Sequence, residues 1–501
     1  MTDARSHRAP GLVALVGAGP GRPDLITVRG LELLERADVV VHDRLDTEAL
    51  LARAGAATAA GRARLVDVGK RAGSHPVPQD EINRILVREA ARSRLVVRLK
   101  GGDPYVFGRG GEEATALAAA GVPFEVVPGV TSALAAASYA GVPVTDRRHA
   151  ASFHVLTGHR RANGELGIDY EALVRAGGTC VFLMAVRTLG EVAGGLLAAG
   201  MAPGTPACVV ERGTLPAQRR VDATLSTVTE AAREAHVESP AVLVVGGVCS
   251  LAPELDWFDA LPLRGRTVAV TRPRDRAASL AGGLRELGAS VLEVPLIETV
   301  PVPAPELAPV VSQLGAYAWL ALTSVEGVRC LGAALDAAGL DARALAGTRV
   351  AAVGPATARE LRRIGVRADL VPAVYDTEHL ARALVGELGA EPGGRVLLLR
   401  ARDGAAALPR VLREAGVDFD DVGTYETRPE DGPAVECLAR ALAAALDAAA
   451  GRGAWPTSCV AVCLGAATRT EAEALGMRCE QAAEATVPAL VDAVRQALAP
   501  R

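Results

Sequence analysis

Short apolar segments alternate with stretches of helical period along the 501-residue chain, and this alternation constrains its fold more than any other feature. The apolar segments are short, and stretches rich in Ala, Leu, Arg and Glu separate them. Because parallel strands covered by helices on both faces are apolar throughout, the pattern predicts an α/β chain with mostly parallel sheets. The predicted strands include LVALVG (12–17), DVVVHD (38–43), LVVRLKG (95–101), TCVFLM (179–184), VLVVGG (242–247), TVAVTRP (267–273), RVAAVG (349–354), RVLLLRA (395–401) and CVAVCLG (459–465).

Two features divide the chain. The segment APELDWFDALPLRGR (252–266) interrupts the alternation with prolines and acidic residues, so we predict a domain boundary there. In the second half, the stretch that begins at Thr267 is similar in layout to the stretch that begins at Arg395. The stretch from Val350 is likewise similar to the stretch from Val460. This weak repeat predicts two similar α/β lobes, one for each copy, with the second copy shortened.

The composition excludes several classes of protein. Hydrophobic residues make up 50% and charged residues 22%, which is typical of a folded globular chain. The net charge is −4 and neither half is basic, so we do not expect nucleic-acid binding. The most apolar long stretch, Ala118 to Val144, contains Glu125 and three prolines, which argues against a membrane span. The N-terminal MTDARSHRAP has no apolar core of a signal peptide, so we expect a cytoplasmic protein.

The cysteines and histidines show no metal-binding pattern. The eight cysteines include no CxxC and the eight histidines no HExxH. We therefore expect reduced cysteines that pack as small apolar residues, and no metal.

A Gly-rich turn follows the first predicted strand, in VALVGAGPGRPDLIT (13–27). Glycines there allow a ligand to approach the backbone closely. With Asp43 at the end of the next strand, the turn could belong to a Rossmann dinucleotide site. Pro20 has no N–H group, and the GxGxxG spacing is absent, so we favour another ligand.

Three further segments in the first half have the composition of ligand-binding loops. VGKRAGSHPVPQDEIN (68–83) and RLKGGDPYVFGRGGEE (98–113) each contain one of the only two lysines, Lys70 and Lys100. The second has more glycines than a tight turn needs, which indicates close approach of a ligand. PFEVVPGVTSALAAASYAGVPVT (123–145) predicts a strand, a Pro-Gly turn and an Ala-rich helix.

In this order, and with VTDRRHAASFHVLTGH, VFLMAVRT and VVERGT after them, these motifs resemble the uroporphyrinogen-III C-methyltransferases of the tetrapyrrole methylase family. The resemblance runs from about Gly11 to Phe258. It implies two α/β lobes that hold S-adenosylmethionine, which leaves as S-adenosylhomocysteine, and it implies a homodimer through this domain. The cofactor-binding residues that it implies are Pro20, Gly101, Gly102, Asp103, Val106, Thr131, Ser132, Met184 and Gly213.

The resemblance also implies catalytic roles, with Asp43 as proton acceptor and Lys70 as proton donor. The tetrapyrrole substrate carries many carboxylates, for which guanidinium groups are suited. Each candidate arginine could instead be a solvated surface charge. At TDRRHA, Asp146 stands where the family usually has His, and Arg148 follows the Arg. The candidate substrate-binding arginines are Arg44, Arg71, Arg109, Arg147 and Arg160.

From Leu263 onward the chain resembles the uroporphyrinogen-III synthases, through VAVTRPRDRAASL, VPLIET, LALTSVEGV, VAAVGPATA and VGTYETRP. That family has two α/β lobes and closes hydroxymethylbilane to uroporphyrinogen III. Tyr425 aligns with a tyrosine that assists loss of the hydroxyl, or it is a core aromatic. ALDAAAGRGAWPTS (445–458) and GAAT (465–468) replace family motifs, so weak or lost synthase activity is an alternative to an active synthase. The residues implied to line the substrate cleft are Thr323, Ser324, Gly354 and Thr357.

The resulting hypothesis is a fused enzyme of sirohaem or cobalamin synthesis. Residues 11–258 would methylate uroporphyrinogen III at carbons 2 and 7 to give precorrin-2, and residues 263–498 would make uroporphyrinogen III. One alternative keeps the methyltransferase and makes the C-terminal domain a module that only binds tetrapyrrole or positions a dimer. Another is a nicotinamide-dependent Rossmann oxidoreductase.

Overall fold

In a computed structural model of the chain, the described residues fall into two compact units. The first takes its residues from Met1–Thr267, Leu284–Ser290 and Leu498–Arg501, and the second from Val268–Gly283 and Val291–Ala497. The structure describes residues 10–43, 48–51, 63–69, 77–160, 163–389, 394–429, 460–464, 466–474, 476–484 and 486–498.

The first sheet of the first unit is entirely parallel. Its strands are β1 (Leu12–Gly17), β2 (Val39–His42), β3 (Arg64–Asp67), β4 (Leu95–Lys100) and β5 (Phe124–Val127). They are ordered β3–β2–β4–β1–β5 across the sheet. The helices that accompany them are α1 (Val28–Arg36), α2 (Glu48–Leu51), α3 (Gln79–Ala90) and α4 (Gly110–Ala119), with a 3-10 turn at Pro23–Leu25.

Both faces of this sheet are buried, which explains why its strands are apolar throughout. Leu15 of β1 shares one buried cluster with Leu86 of α3 and Leu117 of α4. The next residue, Val16, points to the opposite face and shares a second cluster with Leu34 of α1. The two faces therefore follow from the two-residue period of a strand.

The second sheet of this unit is mainly antiparallel. Its strands are β6 (Phe153–Thr157), β7 (Thr179–Leu183), β8 (Pro206–Glu211), β9 (Arg219–Thr224) and β10 (Ala241–Val245). The order is β6–β7–β10–β8–β9, and only β6 and β7 run parallel. One face of the sheet is covered by α5 (Ser132–Tyr139). The other face is covered by α6 (Tyr170–Ala176), α7 (Leu189–Ala198) and α8 (Val228–Glu234). The unit also contains α9 (Ala252–Leu255) and 3-10 turns at Val186–Thr188 and Gly247–Leu251.

The second half of the chain has one five-stranded sheet and two strand pairs. The strands are β11 (Thr267–Val270), β12 (Ser290–Glu293), β13 (Ile297–Pro301), β14 (Trp319–Leu322), β15 (Arg349–Ala352), β16 (Val396–Ala401), β17 (Phe419–Pro429), β18 (Ala461–Cys463) and β19 (Cys479–Gln481). The large sheet is ordered β13–β17–β16–β14–β15, with only β13 antiparallel, while β11 pairs with β12 and β18 with β19.

Helices cover both faces of the large sheet. One buried cluster joins it to the first three helices that follow β13, and a second joins it to the next two. The helices are α10 (Arg274–Glu286), α11 (Ala304–Val311), α12 (Val325–Ala337), α13 (Pro355–Arg363), α14 (Thr377–Leu388), α15 (Ala407–Glu414), α16 (Ala466–Ala474) and α17 (Val487–Leu498), with 3-10 turns at Leu314–Ala316 and Ala342–Leu345.

The predicted α/β class with mostly parallel sheets is confirmed, and the three antiparallel pairs of the second sheet are its main exception. The internal repeat, however, does not correspond to one sheet for each copy. Strands β14 and β15 from the first copy pair in the same sheet as β16 and β17 from the second. A similar layout along the chain therefore does not determine which strands pair, because β16 joins β14 rather than β18.

None of the described helices is both long and apolar enough to cross a membrane. The six described cysteines are free, and five of them are buried. Burial raises the pKa of the Cys180 thiol to about 11, so this thiol is protonated and unreactive at neutral pH.

Candidate functional site

A cavity of about 1060 Å³ lies in the first unit, where loops that follow strands of both sheets meet. In α/β folds, ligands bind outside the carboxyl ends of the strands, and this volume is large enough for a cofactor. All nine residues that the sequence predicts as cofactor ligands line it: Pro20, Gly101, Gly102, Asp103, Val106, Thr131, Ser132, Met184 and Gly213.

Two of the lining loops are joined backbone to backbone. The N–H of Gly102 donates to the Gly19 carbonyl oxygen at 2.7 Å, and the N–H of Gly19 donates to the Gly102 carbonyl oxygen at 3.2 Å. A Cβ atom at Gly17 would lie 2.6 Å from that Gly102 oxygen, and one at Gly129 would collide with it. The glycines of this turn thus allow close packing of three strand ends as well as access for a ligand.

The Asp103 carboxylate connects the same loops. Its Oδ1 accepts from the backbone N–H of Tyr105 at 2.8 Å, and its Oδ2 accepts from the N–H of Gly129 at 3.0 Å. Thr131 then caps α5, with its hydroxyl oxygen accepting from the N–H of Ala133 at 3.4 Å. Asp103 therefore fixes the shape of the loop that borders the cavity.

Backbone strain is concentrated around the cavity. Six non-glycine residues in the described part of the chain have positive φ angles, and four of these line the cavity. Such conformations persist where the surrounding structure imposes them, which happens often at functional sites. The four residues are Phe107 (φ 52°), Arg109 (φ 58°), Met184 (φ 56°) and Arg212 (φ 50°).

Asp43 follows β2 at the edge of the cavity and contacts a buried arginine. Arg98 Nη2 lies 2.9 Å from Asp43 Oδ1 and 3.0 Å from Oδ2. Arg98 Nε also donates to Glu113 Oε1 at 3.1 Å, and Lys100 Nζ donates to the same oxygen at 2.9 Å. Glu113 Oε2 is buried and has no hydrogen-bond partner in the described part of the chain.

The electrostatics of Lys100 follow from this environment. Burial and the positive charge of Arg98 lower the pKa of the Lys100 ammonium, and Glu113 opposes the change. The sequence did not predict this network, although Arg98 and Lys100 are visible as charges inside an otherwise apolar strand.

The predicted substrate-binding arginines separate into three groups. Arg109 and Arg160 line the cavity, and Arg109 forms a paired contact with Glu112 at 2.8 and 2.7 Å, which lowers the pKa of that carboxyl. Arg147 is exposed and is not among the lining residues. Arg44 and Arg71 lie outside the described residues, as does the predicted proton donor Lys70.

The departure at TDRRHA forms a closed turn. The Asp146 carboxylate accepts from both the backbone N–H and the side chain of Arg148, at 2.9 and 3.1 Å. The Arg148 guanidinium thereby lowers the pKa of Asp146. The opposite charges of Asp146 and Arg148, the two residues that depart from the family pattern, therefore form an ion pair on either side of Arg147.

Two comparisons of the sequence identify the families that the chain resembles. Residues 12–229 match the family described as Tetrapyrrole (Corrin/Porphyrin) Methylases, and residues 278–492 match Uroporphyrinogen-III synthase HemD. A porphyrin biosynthesis protein HemD of Ruminiclostridium josui is 44% identical over 418 residues, which cover 83% of this chain and 82% of that protein. The chain belongs to the tetrapyrrole methylases and carries a fused uroporphyrinogen-III synthase domain.

Other relatives match the methylase part alone. An S-adenosyl-L-methionine-dependent uroporphyrinogen III methyltransferase of Methanosarcina barkeri is 48% identical over 48% of this chain and 93% of its own length. A siroheme synthase of Citrobacter koseri is 46% identical over 52% of this chain, which spans 54% of that protein. A crystal structure of uroporphyrin-III C-methyl transferase from Thermus thermophilus with S-adenyl homocysteine has 42% identity, covers 48% of this chain and 99% of that one, and has a TM-score of 0.41. As a tetrapyrrole methylase, the chain is a methyltransferase of tetrapyrrole biosynthesis.

In the synthase domain, the predicted cleft residues lie at two neighbouring strand ends. Thr323 and Ser324 follow β14, and the Ser324 hydroxyl oxygen caps α12 by accepting from the N–H of Gly327 at 3.0 Å. Gly354 precedes α13 and Thr357 lies in its first turn, after the adjacent strand β15. These four residues therefore share one edge of the sheet.

Tyr425 is distant from those residues in sequence but lies near the same edge of the sheet, level with Ala401 at the end of β16, the strand between β17 and β14. It belongs to β17, is partly buried, and packs against the core cluster beneath α12. Packing of this kind is what the core-aromatic alternative requires. Of the two segments that replace family motifs, 445–458 lies outside the described residues and 465–468 is described only in part.

Besides Arg98, two arginines that line the cavity were not predicted from the sequence, Arg187 and Arg212. Both stand in motifs that carried the resemblance, VFLMAVRT and VVERGT, so the signal was present in the sequence. Arg187 is exposed and has no ion-pair partner among the described residues. No group of three potential metal-binding side chains occurs in the described part of the chain.

Proposed function

We propose that this methylase transfers methyl groups from S-adenosylmethionine to carbons 2 and 7 of uroporphyrinogen III, giving precorrin-2 for sirohaem or cobalamin synthesis. The observation that carries this proposal is the single cavity that all nine predicted cofactor residues line. We also propose that residues 11–258 form the methyltransferase domain, and that residues 263–498 form a synthase domain that closes hydroxymethylbilane to uroporphyrinogen III.

The shape of the cavity suits the cofactor. A Cβ atom at Gly102 would meet no heavy atom closer than 3.9 Å, so it would occupy cavity space next to Thr131 and Ser132. The backbone at Gly101 and Gly102, with the start of α5, offers polar groups for the cofactor's amino-acid and adenosine parts. When bound, S-adenosylmethionine supplies an electrophilic methyl group on a sulfonium sulfur.

The chain's own residues then align the substrate carbon with that methyl group. Asp43, at the cavity edge, accepts the proton that the substrate carbon loses, and Lys70 donates a proton to the macrocycle. Arg109 and Arg160, with Arg187 and Arg212, line the cavity, and we propose that they bind substrate carboxylates. We propose that Arg44, Arg71 and Arg147 take part as well.

Two incubations of the full chain test the two activities separately. With uroporphyrinogen III and S-adenosylmethionine, we expect a product heavier by two methyl groups, and an unchanged mass would contradict the methyltransferase proposal. With hydroxymethylbilane alone, we expect the type III isomer above the buffer control after oxidation and chromatography. Only the type I isomer would favour a C-terminal domain that binds tetrapyrrole or positions a dimer, without catalysis by Tyr425, Thr323, Ser324, Gly354 or Thr357.

Three further properties belong to this proposal. The cysteines that the structure describes are free, which supports a cytoplasmic location. We propose a homodimer through the methyltransferase domain, which light scattering of the purified protein tests directly. We also propose that neither activity requires a metal, so dialysis against a chelator should leave both rates unchanged.

A further inference from the structure

Three charged side chains are buried beside the cavity and are not explained by cofactor binding. Arg98 lies within β4 and is 2% exposed, Lys100 ends that strand and is 4% exposed, and Glu113 of α4 is fully buried. Gln79, at the start of α3, donates to Glu113 Oε1 at 3.3 Å. The network therefore connects α3, α4 and β4 next to Asp43.

The guanidinium group of Arg98 is held from several directions. Nη2 donates to both oxygens of Asp43, Nε to Glu113, and Nη1 to the backbone carbonyl of Leu99 at 3.3 Å. Because guanidinium is planar and always charged, these contacts fix its plane as well as its position. The carboxylate of Asp43 must then lie in an orientation that meets this plane.

Stability alone does not account for such a network. Moving charged groups out of water costs free energy, and a protein with well-packed apolar residues in their place is often at least as stable. The neighbouring strand positions Val96, Val97 and Leu99 are apolar and fully buried, so the site could hold an apolar residue. The charges therefore require another explanation, such as a fixed geometry.

The sheet supplies that geometry. Arg98 is paired with Leu15 of β1 on one side and with Val41 of β2 on the other, so its backbone is held at the centre of the sheet. Asp43 comes one residue after His42, the last residue of β2, and its side chain is 28% exposed at the cavity. A rigid arginine thus contacts a carboxylate at a strand end.

We propose that Arg98 is the positioning residue for Asp43, and that Glu113, which also binds Lys100, holds Arg98 in place. This inference rests on the proposed role of Asp43 as proton acceptor. Arg98 acts through the Asp43 carboxylate, which it directs toward the substrate carbon.

A double-mutant cycle tests this. Asp43→Asn, Arg98→Gln and the double variant are compared in single-turnover methyl transfer with saturating S-adenosylmethionine. We expect Arg98→Gln to slow the step about 10- to 100-fold, the effect of a misplaced catalytic group. The double variant should be no slower than Asp43→Asn, because Arg98 acts only through Asp43. Affinity for S-adenosylhomocysteine, measured by calorimetry, should change less than about twofold in each variant.

Two additional variants guard against loss of folding. Arg98→Lys keeps the charge but not the planar group, so it should recover only part of the rate. Glu113→Gln should also lower the rate of methyl transfer in part. In the Asp43→Asn background, it should lower that rate no further. The matched control is Arg220→Gln, because Arg220 is 11% exposed and pairs with Asp256 at 2.6 Å but does not line the cavity. Its turnover per folded molecule should equal that of the wild type.

The outcomes are distinct. If the losses of Arg98→Gln and Asp43→Asn multiply in the double variant, or if Arg98→Gln keeps the wild-type rate, the positioning role is wrong. If Glu113→Gln alone keeps the wild-type rate, the role of Glu113 in holding Arg98 is wrong. If Asp43→Asn itself turns over like the wild type, the proposed proton acceptor is wrong, and the inference falls with it.

Discussion

At the scale of single residues, α4 shows why a side chain's role depends on the direction in which it points. Glu112 and Glu113 are adjacent in sequence, yet Glu112 pairs with Arg109 at the surface while Glu113 is buried against Arg98 and Lys100. Successive residues of an α-helix point about 100° apart, so two adjacent glutamates face different surroundings. The sequence predicted a ligand-binding loop here but could not show which glutamate lies inside.

The catalytic pair provides a prediction at this scale. Asp43→Ala and Lys70→Ala should each lower turnover of uroporphyrinogen III by about 10²- to 10⁴-fold, because positioned acids and bases contribute that much. Neither should weaken S-adenosylhomocysteine binding comparably. Steady-state rates and calorimetry on the same preparations measure both, and exposed Glu230→Ala on α8 is the control. Wild-type turnover in either variant would remove that residue from the mechanism.

At the scale of elements, the strands were predictable and most contacts between their ends were not. The predicted strand LVALVG (12–17) has the same bounds as β1. The predicted strands at 95–101 and 179–184 are each one residue longer than β4 and β7. These strands are buried on both faces, so their apolar composition is visible locally. The approach of Gly17, Gly102 and Gly129 depends on strand order, which local composition does not contain.

The close contact between the loops at Gly102 and Gly129 gives a testable prediction. Gly129→Ala would place a Cβ atom against the Gly102 carbonyl oxygen and force two cavity loops apart. We expect a loss of about 1–3 kcal/mol in the free energy of unfolding, as for other overpacked sites, together with weaker S-adenosylhomocysteine binding. Gly111→Ala on α4 is the matched control, since a Cβ atom there meets nothing within 4 Å. Thermal unfolding and calorimetry measure both, and unchanged binding in Gly129→Ala would show that loop contact does not shape the site.

At the scale of the whole molecule, the sequence motifs predicted the family correctly, whereas the internal repeat did not predict which strands pair. The motifs from 13–27 to 123–145 were sufficient to predict a methylase, and the structure places their candidate ligands around one cavity. The repeat in the second half wrongly predicted one lobe for each copy, because β16 of the second copy pairs with β14 of the first. That pairing joins residues far apart in the chain. Lys70, Arg44 and Arg71 lie outside the described residues, so their roles rest on the resemblance.

We propose that a single chain both makes uroporphyrinogen III and methylates it. The most direct measurement is incubation of the full chain with hydroxymethylbilane and S-adenosylmethionine, followed by mass spectrometry and isomer analysis of the product. We expect a dimethylated product of the type III series, absent when either substrate is omitted. A product that carries no added methyl group, or that is only the type I isomer, would contradict it.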